Sequence, residues 1–198
     1  PMCDSNFLEK CDEKPFSIFR EYVEDNNLDY DMDKLDKINE DLASLVLNLK
    51  YMYNRPRPKK FFKVHDIHFP YDDVKDSNTP SYPSGHAAHA FFNAEMISKQ
   101  NPEHEMRLKT LAEMVSQSRI DLGVHFPSDI QFGRFIGEYC SSKCLDKKSK
   151  IQEVKIMSKN DSRQARDVFR HAMKRHSGSN HGTSYLDELC EFIIRSNQ

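Results

Sequence analysis

The sequence predicts an all-α protein, and three observations support that fold class. The chain of 198 residues contains only six glycines. Apolar residues recur with the 3.6-residue period of a helix over several long stretches, and the alternation typical of strands is absent. The length suits one domain with a substantial core. We therefore expect a single helical bundle over residues 1–198.

The positions of the apolar residues predict seven helices. In the stretch 37–53, Leu42, Leu45 and Val46 fall along one stripe of the helix surface. The stretch 85–99 is apolar nearly all round, which predicts a helix in the centre of the bundle. The predicted helices span residues 14–25, 37–53, 85–99, 103–122, 127–143, 160–175 and 184–196.

A long loop is predicted between the second and third of these helices. The run Arg55-Pro56-Arg57-Pro58 ends the preceding helix, because each proline biases the residue before it toward an extended conformation. Residues 59–83 carry aromatic residues, aspartates and prolines without a clear period. Ordered loops of this length are usually functional, so we expect the active site at helix ends beside this loop.

Composition excludes several classes of partner. The net charge is −2, which gives no basic field for nucleic acid or an anionic membrane. The mean hydropathy is −0.78, and no stretch approaches 18 consecutive apolar residues, so no transmembrane segment is predicted. We expect a soluble protein whose partner is a small molecule, while its oligomeric state stays undetermined.

Cellular location is predicted from the N-terminal residues and the cysteines. No apolar signal segment follows Met2, and the five cysteines are odd in number and irregularly spaced. Both features favour a reducing, cytoplasmic compartment. A signal peptide removed before this chain begins would instead indicate a periplasmic or secreted protein.

Two predicted helices carry polar residues on their apolar stripes. Ser118 and Arg119 share the stripe of Leu111 and Val115, and a buried arginine needs a partner, either a protein carboxylate or a bound anion.

The next helix carries an inward-facing carboxylate in its first turn. Asp129 follows His125 by four residues and can orient that imidazole, leaving the other ring nitrogen free to act. The alternative is an ordinary acidic residue that complements the helix dipole.

The stretch P-S-G-H at residues 83–86 is a further candidate site. Ser84 as an N-cap and Gly85 in the bend describe an ordinary capped turn. Together with Lys50, Arg57 and Arg119, however, the backbone N–H groups of this helix start form an oxyanion-binding cradle. Phosphate is the expected occupant.

These segments resemble the three-part signature of the type 2 phosphatidic acid phosphatase / vanadium haloperoxidase superfamily. Its parts read K-x6-R-P, P-S-G-H and S-R-x5-H-x3-D, and all are present in order, separated by 24 and 31 residues. The resemblance covers about residues 50–137 and is greatest to the soluble class A non-specific acid phosphatases. Residues 1–49 and 144–198 are expected to add accessory helices.

The resemblance implies a metal-independent phosphatase with a phosphohistidine intermediate. His125 would attack phosphorus, Asp129 would orient it, and His86 would protonate the leaving group and later activate water. The phosphoryl oxygens would be held by Lys50, Arg57, Ser84, Gly85 and Arg119. No cofactor is implied, although vanadate is expected to inhibit. Arg55 also precedes a proline, but only Arg57 has the required six-residue gap from Lys50.

Other titratable residues are not assigned to the site. His65 and His68 are expected at the surface or the rim of the pocket, and no metal site is predicted there. His89 is expected to be a packed helix histidine, although it can also line the pocket. Cys140, Cys144 and Cys190 are expected to be small, half-buried residues.

Several alternative functions remain open at this stage. They are a lipid-phosphate or diphosphate phosphatase, a vanadium haloperoxidase with vanadate as cofactor, and a non-catalytic anion-binding module. The last would predict loss of His86, His125 or Asp129, and all three are present. The physiological substrate is not predicted.

Overall fold

The protein is all-α, as the sequence predicts. The computed structural model describes residues 5–13, 17–68 and 78–146, and no β-strand forms in these ranges. The helices are α1 (Ser5–Glu13), α2 (Ser17–Asp25), α3 (Met32–Tyr53), α4 (Pro58–Val64), α5 (Gly85–Ser98), α6 (Glu105–Asp121) and α7 (Pro127–Asp146), with a 3-10 turn at Pro102–His104. None of the described helices is both long and apolar enough to cross a lipid bilayer.

The expected loop over residues 59–83 is wrong at its beginning, where the chain forms α4. Pro58 occupies the first turn of this helix, and proline is favoured there because its fixed φ suits the helix and its missing N–H is not needed. The second proline of the Arg-Pro-Arg-Pro run therefore starts a helix instead of prolonging the loop. Residues 69–77 and the predicted helices at 160–175 and 184–196 lie outside the described residues.

Helix α3 begins earlier than the expected residue 37. Its first residue is Met32, because Asp31 caps the helix and accepts a hydrogen bond from the Lys34 N–H at 2.9 Å. The cap adds a full turn to the helix, in which Met32 and Leu35 are also buried. As predicted, Leu42, Leu45 and Val46 face the core.

Helix α5 is the centre of the bundle. It packs against α2, α3, α6 and α7, and its alanines and both phenylalanines are buried. Small side chains allow neighbouring helices to approach α5 from several sides. The predicted central position of this helix is confirmed.

Two glycines of α7 permit an especially close contact with α5. A Cβ at Gly133 would lie 2.4 Å from the Ser84 carbonyl oxygen, and one at Gly137 would lie 2.3 Å from that of Ala88. The Ser84 N–H also donates to the Asp129 carbonyl oxygen at 2.9 Å. The P-S-G-H turn and the first turn of α7 are therefore held together by backbone atoms.

Candidate active site

His125 lies in the turn between α6 and α7, which Gly123 makes possible with its φ of 64°. The Val124 and His125 N–H groups donate to the Arg119 carbonyl oxygen at 3.1 and 3.3 Å. These bonds direct the imidazole inward, where the residue is only 5% exposed. The turn thus brings the histidine to the end of α6 that carries Arg119.

Asp129 fixes the orientation of this imidazole. Its Oδ2 atom lies 3.2 Å from His125 Nδ1 and also accepts from the Phe126 N–H at 2.8 Å. On the far side of the ring, Arg57 Nη1 lies 3.4 Å from Nε2. Since a guanidinium only donates, Nε2 accepts and the proton resides on Nδ1.

The same surroundings determine the protonation states of the pair. Burial lowers the pKa of His125 to about 4, against the opposing effect of the Asp129 carboxylate. For Asp129, burial alone would raise the pKa, but hydrogen bonds from His125 and the Phe126 N–H outweigh it and lower the pKa. A neutral imidazole beside an ionised carboxylate is the resulting state near neutral pH.

Arg57 is held on the Nε2 side of His125 by main-chain acceptors. Its Nε donates to the Thr79 carbonyl oxygen at 2.8 Å and its Nη1 to the Val124 carbonyl oxygen at 3.0 Å. The guanidinium is buried, with 8% of the residue exposed. The structure therefore brings Arg57 to the ring nitrogen that carries the lone pair.

Arg55 contacts the opposite end of the pair, and the sequence analysis did not assign it to the site. Its Nη1 donates to Asp129 Oδ1 at 2.8 Å and to Ser128 Oγ at 2.7 Å. The guanidinium also stacks over the Phe126 ring, 4.3 Å from its centroid. The signal available in the sequence was a second arginine that precedes a proline in the same extended run as Arg57.

Lys50 reaches the site from the last turn of α3. Its ammonium donates to the Pro80 carbonyl oxygen at 2.6 Å. Burial lowers the pKa of Lys50 to about 7, and the charge of Arg57 adds to the effect. This lysine is thus a cation whose charge depends on pH in the neutral range.

The start of α5 contributes Ser84 and Gly85. Ser84 is fully buried and caps the helix, accepting from the Ala87 N–H at 3.3 Å. A Cβ at Gly85 would meet Val46 Cγ1 at 3.5 Å, an ordinary contact, with no closer protein atom. Packing among the described residues therefore does not explain the glycine, whereas close approach of a ligand to the helix N-terminus does.

Buried polar atoms without partners point into the same region. Among the described residues, four buried side-chain atoms have no hydrogen-bond partner: His86 Nε2, Ser116 Oγ, and Nε and Nη1 of Arg119. The remaining nitrogen, Arg119 Nη2, donates to Asp12 Oδ1 on α1 at 2.8 Å. Buried polar groups are almost always satisfied, so the unpartnered atoms of the neighbouring His86 and Arg119 indicate a polar ligand that the chain itself does not supply.

The pKa of His86 is lowered well below the ordinary value. Burial is the main cause, and the positive charge of Arg119 and the nearby His125 act in the same direction. His86 is therefore neutral in the unliganded protein. A doubly negative phosphoryl group bound between these cations would oppose their effect and raise the pKa of His86 again.

The histidines left out of the predicted site lie as follows. His65 and His68 are exposed, and the His65 ring packs on Phe61 at a centroid distance of 4.4 Å. His89 is buried in α5, and its Nδ1 lies 2.9 Å from Asn39 Oδ1. His89 also lines a pocket that extends from the site, so both expectations for this residue hold.

The cysteines also match their expectation where they can be compared. Cys140 and Cys144 are half-buried on α7, and Cys190 lies outside the described residues.

The fold and the site define a class: an all-α protein with a buried cluster of cations around a carboxylate-oriented histidine. The sequence model of the PAP2 superfamily matches residues 42–147, more than half of the chain. The chain therefore belongs to the PAP2 superfamily, as its motifs predict.

Curated relatives are non-specific acid phosphatases. That of Salmonella typhimurium is 35% identical over 88 residues, which cover 44% of this chain and 35% of that protein. That of Providencia stuartii is 35% identical over 96 residues, which cover 48% and 38%. The aligned segment thus spans little more than a third of each relative.

Proposed function

We propose that this protein is a phosphatase that hydrolyses phosphate monoesters through a phosphohistidine at His125. One observation carries the proposal: Nδ1 of His125 is fixed by Asp129, while Nε2 lies 3.4 Å from a cradle guanidinium. A neutral imidazole with its lone pair on Nε2, beside side-chain cations that can hold the phosphoryl oxygens, is what nucleophilic attack on phosphorus requires. The non-specific acid phosphatases that match this chain support the same reaction class.

The reaction proceeds in two displacements. In the first, the Nε2 lone pair forms a bond to phosphorus, the ester P–O bond breaks, and the departing oxygen takes a proton from His86. In the second, His86 accepts a proton from water as its oxygen bonds to phosphorus. The P–N bond then breaks, and its electron pair returns to Nε2.

The cradle stabilises the charge that develops on the three phosphoryl oxygens. The positive charges of Lys50, Arg57 and Arg119, with the N–H groups at the start of α5, surround that position. These groups supply the electrostatic stabilisation that other phosphoryl-transfer enzymes obtain from a divalent cation. We therefore propose turnover without a metal ion.

Trapping of the intermediate tests the nucleophile. With a 32P-labelled aryl phosphate and an alkaline quench, wild-type protein should carry label on His125, located by peptide mapping. His125→Ala should carry none and show no turnover. His65→Ala, which removes an exposed histidine outside the site, should label like the wild type. Label on another residue, or turnover by His125→Ala, would refute the assignment.

The leaving group distinguishes the role of His86. An alkyl phosphate expels a strongly basic alkoxide, whereas an acidic phenol leaves as the anion without a proton. His86→Ala should therefore nearly eliminate alkyl phosphate cleavage but retain a burst of phenol from an aryl phosphate, followed by slow turnover. Equal loss of both substrates without a burst would show that His86 is not the acid.

A further inference from the structure

A pocket of about 220 Å³ extends from the cradle into the bundle. Its lining includes Lys50 and Gly85 of the cradle, together with His86, the proposed general acid. It runs between α2, α3, α5 and α6. Its apolar walls are Phe19, Ala43, Val46, Leu47, Ala90 and Val115.

The position of this pocket matches the place of a leaving group. His125 does not line it, whereas His86 does. In an in-line displacement the leaving oxygen lies opposite the attacking nitrogen, on the side of the residue that protonates it. A phosphate ester bound in the cradle would therefore place its alcohol portion in this pocket.

The chemistry of the walls selects the alcohol. No acidic residue is among the described residues that line the pocket. The polar lining residues away from the cradle form hydrogen bonds within the protein: Thr79 Oγ1 accepts from Arg57 Nη2 at 3.1 Å, Asn93 Oδ1 accepts from Asn39 Nδ2 at 2.9 Å, and His89 Nδ1 lies 2.9 Å from Asn39 Oδ1. A sugar or nucleoside would bring several hydroxyls against apolar walls, and each unpaired hydroxyl weakens binding. An apolar group would bury its surface there instead.

The size of the pocket indicates which group it can enclose. An apolar cavity of about 150 Å³ holds one benzene molecule, so 220 Å³ accommodates a single substituted ring or a short alkyl chain. The Phe19 wall belongs to α2, which lies outside the residues 42–147 shared with the superfamily. This wall is therefore a feature of this chain's own N-terminal region.

We propose that the pocket binds the apolar alcohol portion of the substrate, and that the preferred substrates are monophosphates of small aryl or alkyl alcohols. This inference rests on the proposed phosphatase function, since it assigns the leaving-group side of the same site. It predicts selection against sugar and nucleoside phosphates of similar size.

Two matched substrates test the selectivity. Cyclohexylmethyl phosphate and glucose 6-phosphate both place a primary phosphate ester on a six-membered ring, so their alkoxides differ far less than their polarity. We expect kcat/KM to be at least about tenfold higher for the cyclohexylmethyl ester. In the series from methyl to pentyl phosphate, kcat/KM should rise about fourfold for each methylene that enters the pocket. Equal or better cleavage of glucose 6-phosphate would overturn the inference.

Variants at the mouth of the pocket test its location. Ala43 is exposed on α3 and lines the pocket, whereas Asn48 is exposed on the same helix and does not. Ala43→Leu should lower the ratio of kcat/KM for pentyl over methyl phosphate, because the added side chain narrows the mouth. Asn48→Leu should leave that ratio unchanged. An unchanged ratio in Ala43→Leu, or equal changes in both variants, would place the alcohol elsewhere.

Binding of non-hydrolysable alkylphosphonates separates this inference from the proposed reaction. If no ester is cleaved but calorimetry shows tighter binding of pentylphosphonate than of methylphosphonate, lost in Ala43→Leu, the pocket assignment stands and the proposed function fails. If esters are cleaved but phosphonate affinity does not depend on chain length, the pocket assignment fails alone.

Discussion

Substitution of alanine for two glycines of the signature region should have two different effects. Gly137→Ala should lower the stability of the fold, whereas Gly85→Ala should weaken anion binding. In Gly137→Ala the new Cβ would lie 2.3 Å from the Ala88 carbonyl oxygen and 2.9 Å from the Phe92 nitrogen. Both are backbone atoms of α5, so no flexible side chain can move aside. The helices must separate by about 1 Å to restore ordinary contact, which is the kind of overpacking that costs about 3 kcal/mol.

Helix propensity offsets part of this cost. Alanine is favoured over glycine in a helix interior by about 1 kcal/mol, which leaves a net destabilisation of about 2 kcal/mol. For a chain of this size such a change lowers Tm by about 4–8 °C. The same displacement would move α7 and Asp129 in its first turn.

Gly85→Ala should leave the fold intact. Its Cβ would meet only Val46 Cγ1 at 3.5 Å, and the reduced freedom of the unfolded chain can even stabilise the protein by about 0.4–1 kcal/mol. The methyl group would instead obstruct the approach of an oxyanion to the helix N-terminus. Loss of one such donor lowers kcat by about 10²–10³.

Thermal unfolding and steady-state kinetics on both variants provide the test. We expect Gly137→Ala to lose several degrees in Tm and Gly85→Ala to keep its Tm but lose activity. If Gly85→Ala retains full activity, the glycine does not serve ligand approach. If Gly137→Ala unfolds at the wild-type temperature, the close contact between α5 and α7 does not require a glycine at residue 137.

Four further predictions concern charge and protonation. Asp129→Asn should lower kcat by about 10²–10⁴ while far-UV circular dichroism stays unchanged; a smaller loss would mean that His125 needs no orienting carboxylate. Arg55→Met removes a charge that lowers the pKa of Asp129, so the acidic limb of the kcat/KM profile should shift to higher pH; an unmoved limb would argue against this role. Burial lowers the pKa of Lys50 to about 7, so inhibition of the wild-type protein by phosphate should weaken above that pH. In Lys50→Arg the charge persists, and the inhibition should weaken less steeply. Parallel pH profiles of inhibition for the two proteins would contradict the lowered pKa. Vanadate should inhibit well below the concentrations needed for phosphate, and EDTA should not affect the rate; loss of activity with EDTA, restored by a divalent ion, would disprove metal-free turnover.

Local patterns predicted much of this structure because they depend on neighbouring residues. The period of apolar residues located α3, α5, α6 and α7, and the anomalous Arg119 on an apolar stripe is indeed buried. Helix α4, predicted as loop, was missed because a proline can either stop a helix or start one, and only the chain's path decides which effect prevails at Pro58.

Contacts between distant parts of the chain were beyond the sequence patterns. Arg55 and Arg57 are two residues apart in the same extended run, yet they face opposite sides of the His125–Asp129 pair. Asp12 is separated from Arg119 by 107 positions, so no periodicity connects them. Signature spacing favoured Arg57 for the cradle but gave no indication of what Arg55 contacts.

The ion pair between Asp12 and Arg119 has a consequence for dividing the chain. Asp12 belongs to α1, whereas the superfamily match begins at residue 42. A fragment cut to the matched boundaries would keep every signature residue but leave the Arg119 guanidinium, 5% exposed, without this counter-ion. It would also lose Phe19 from the pocket wall. The N-terminal helices therefore contribute contacts to Arg119 and to the pocket, although they carry none of the signature residues.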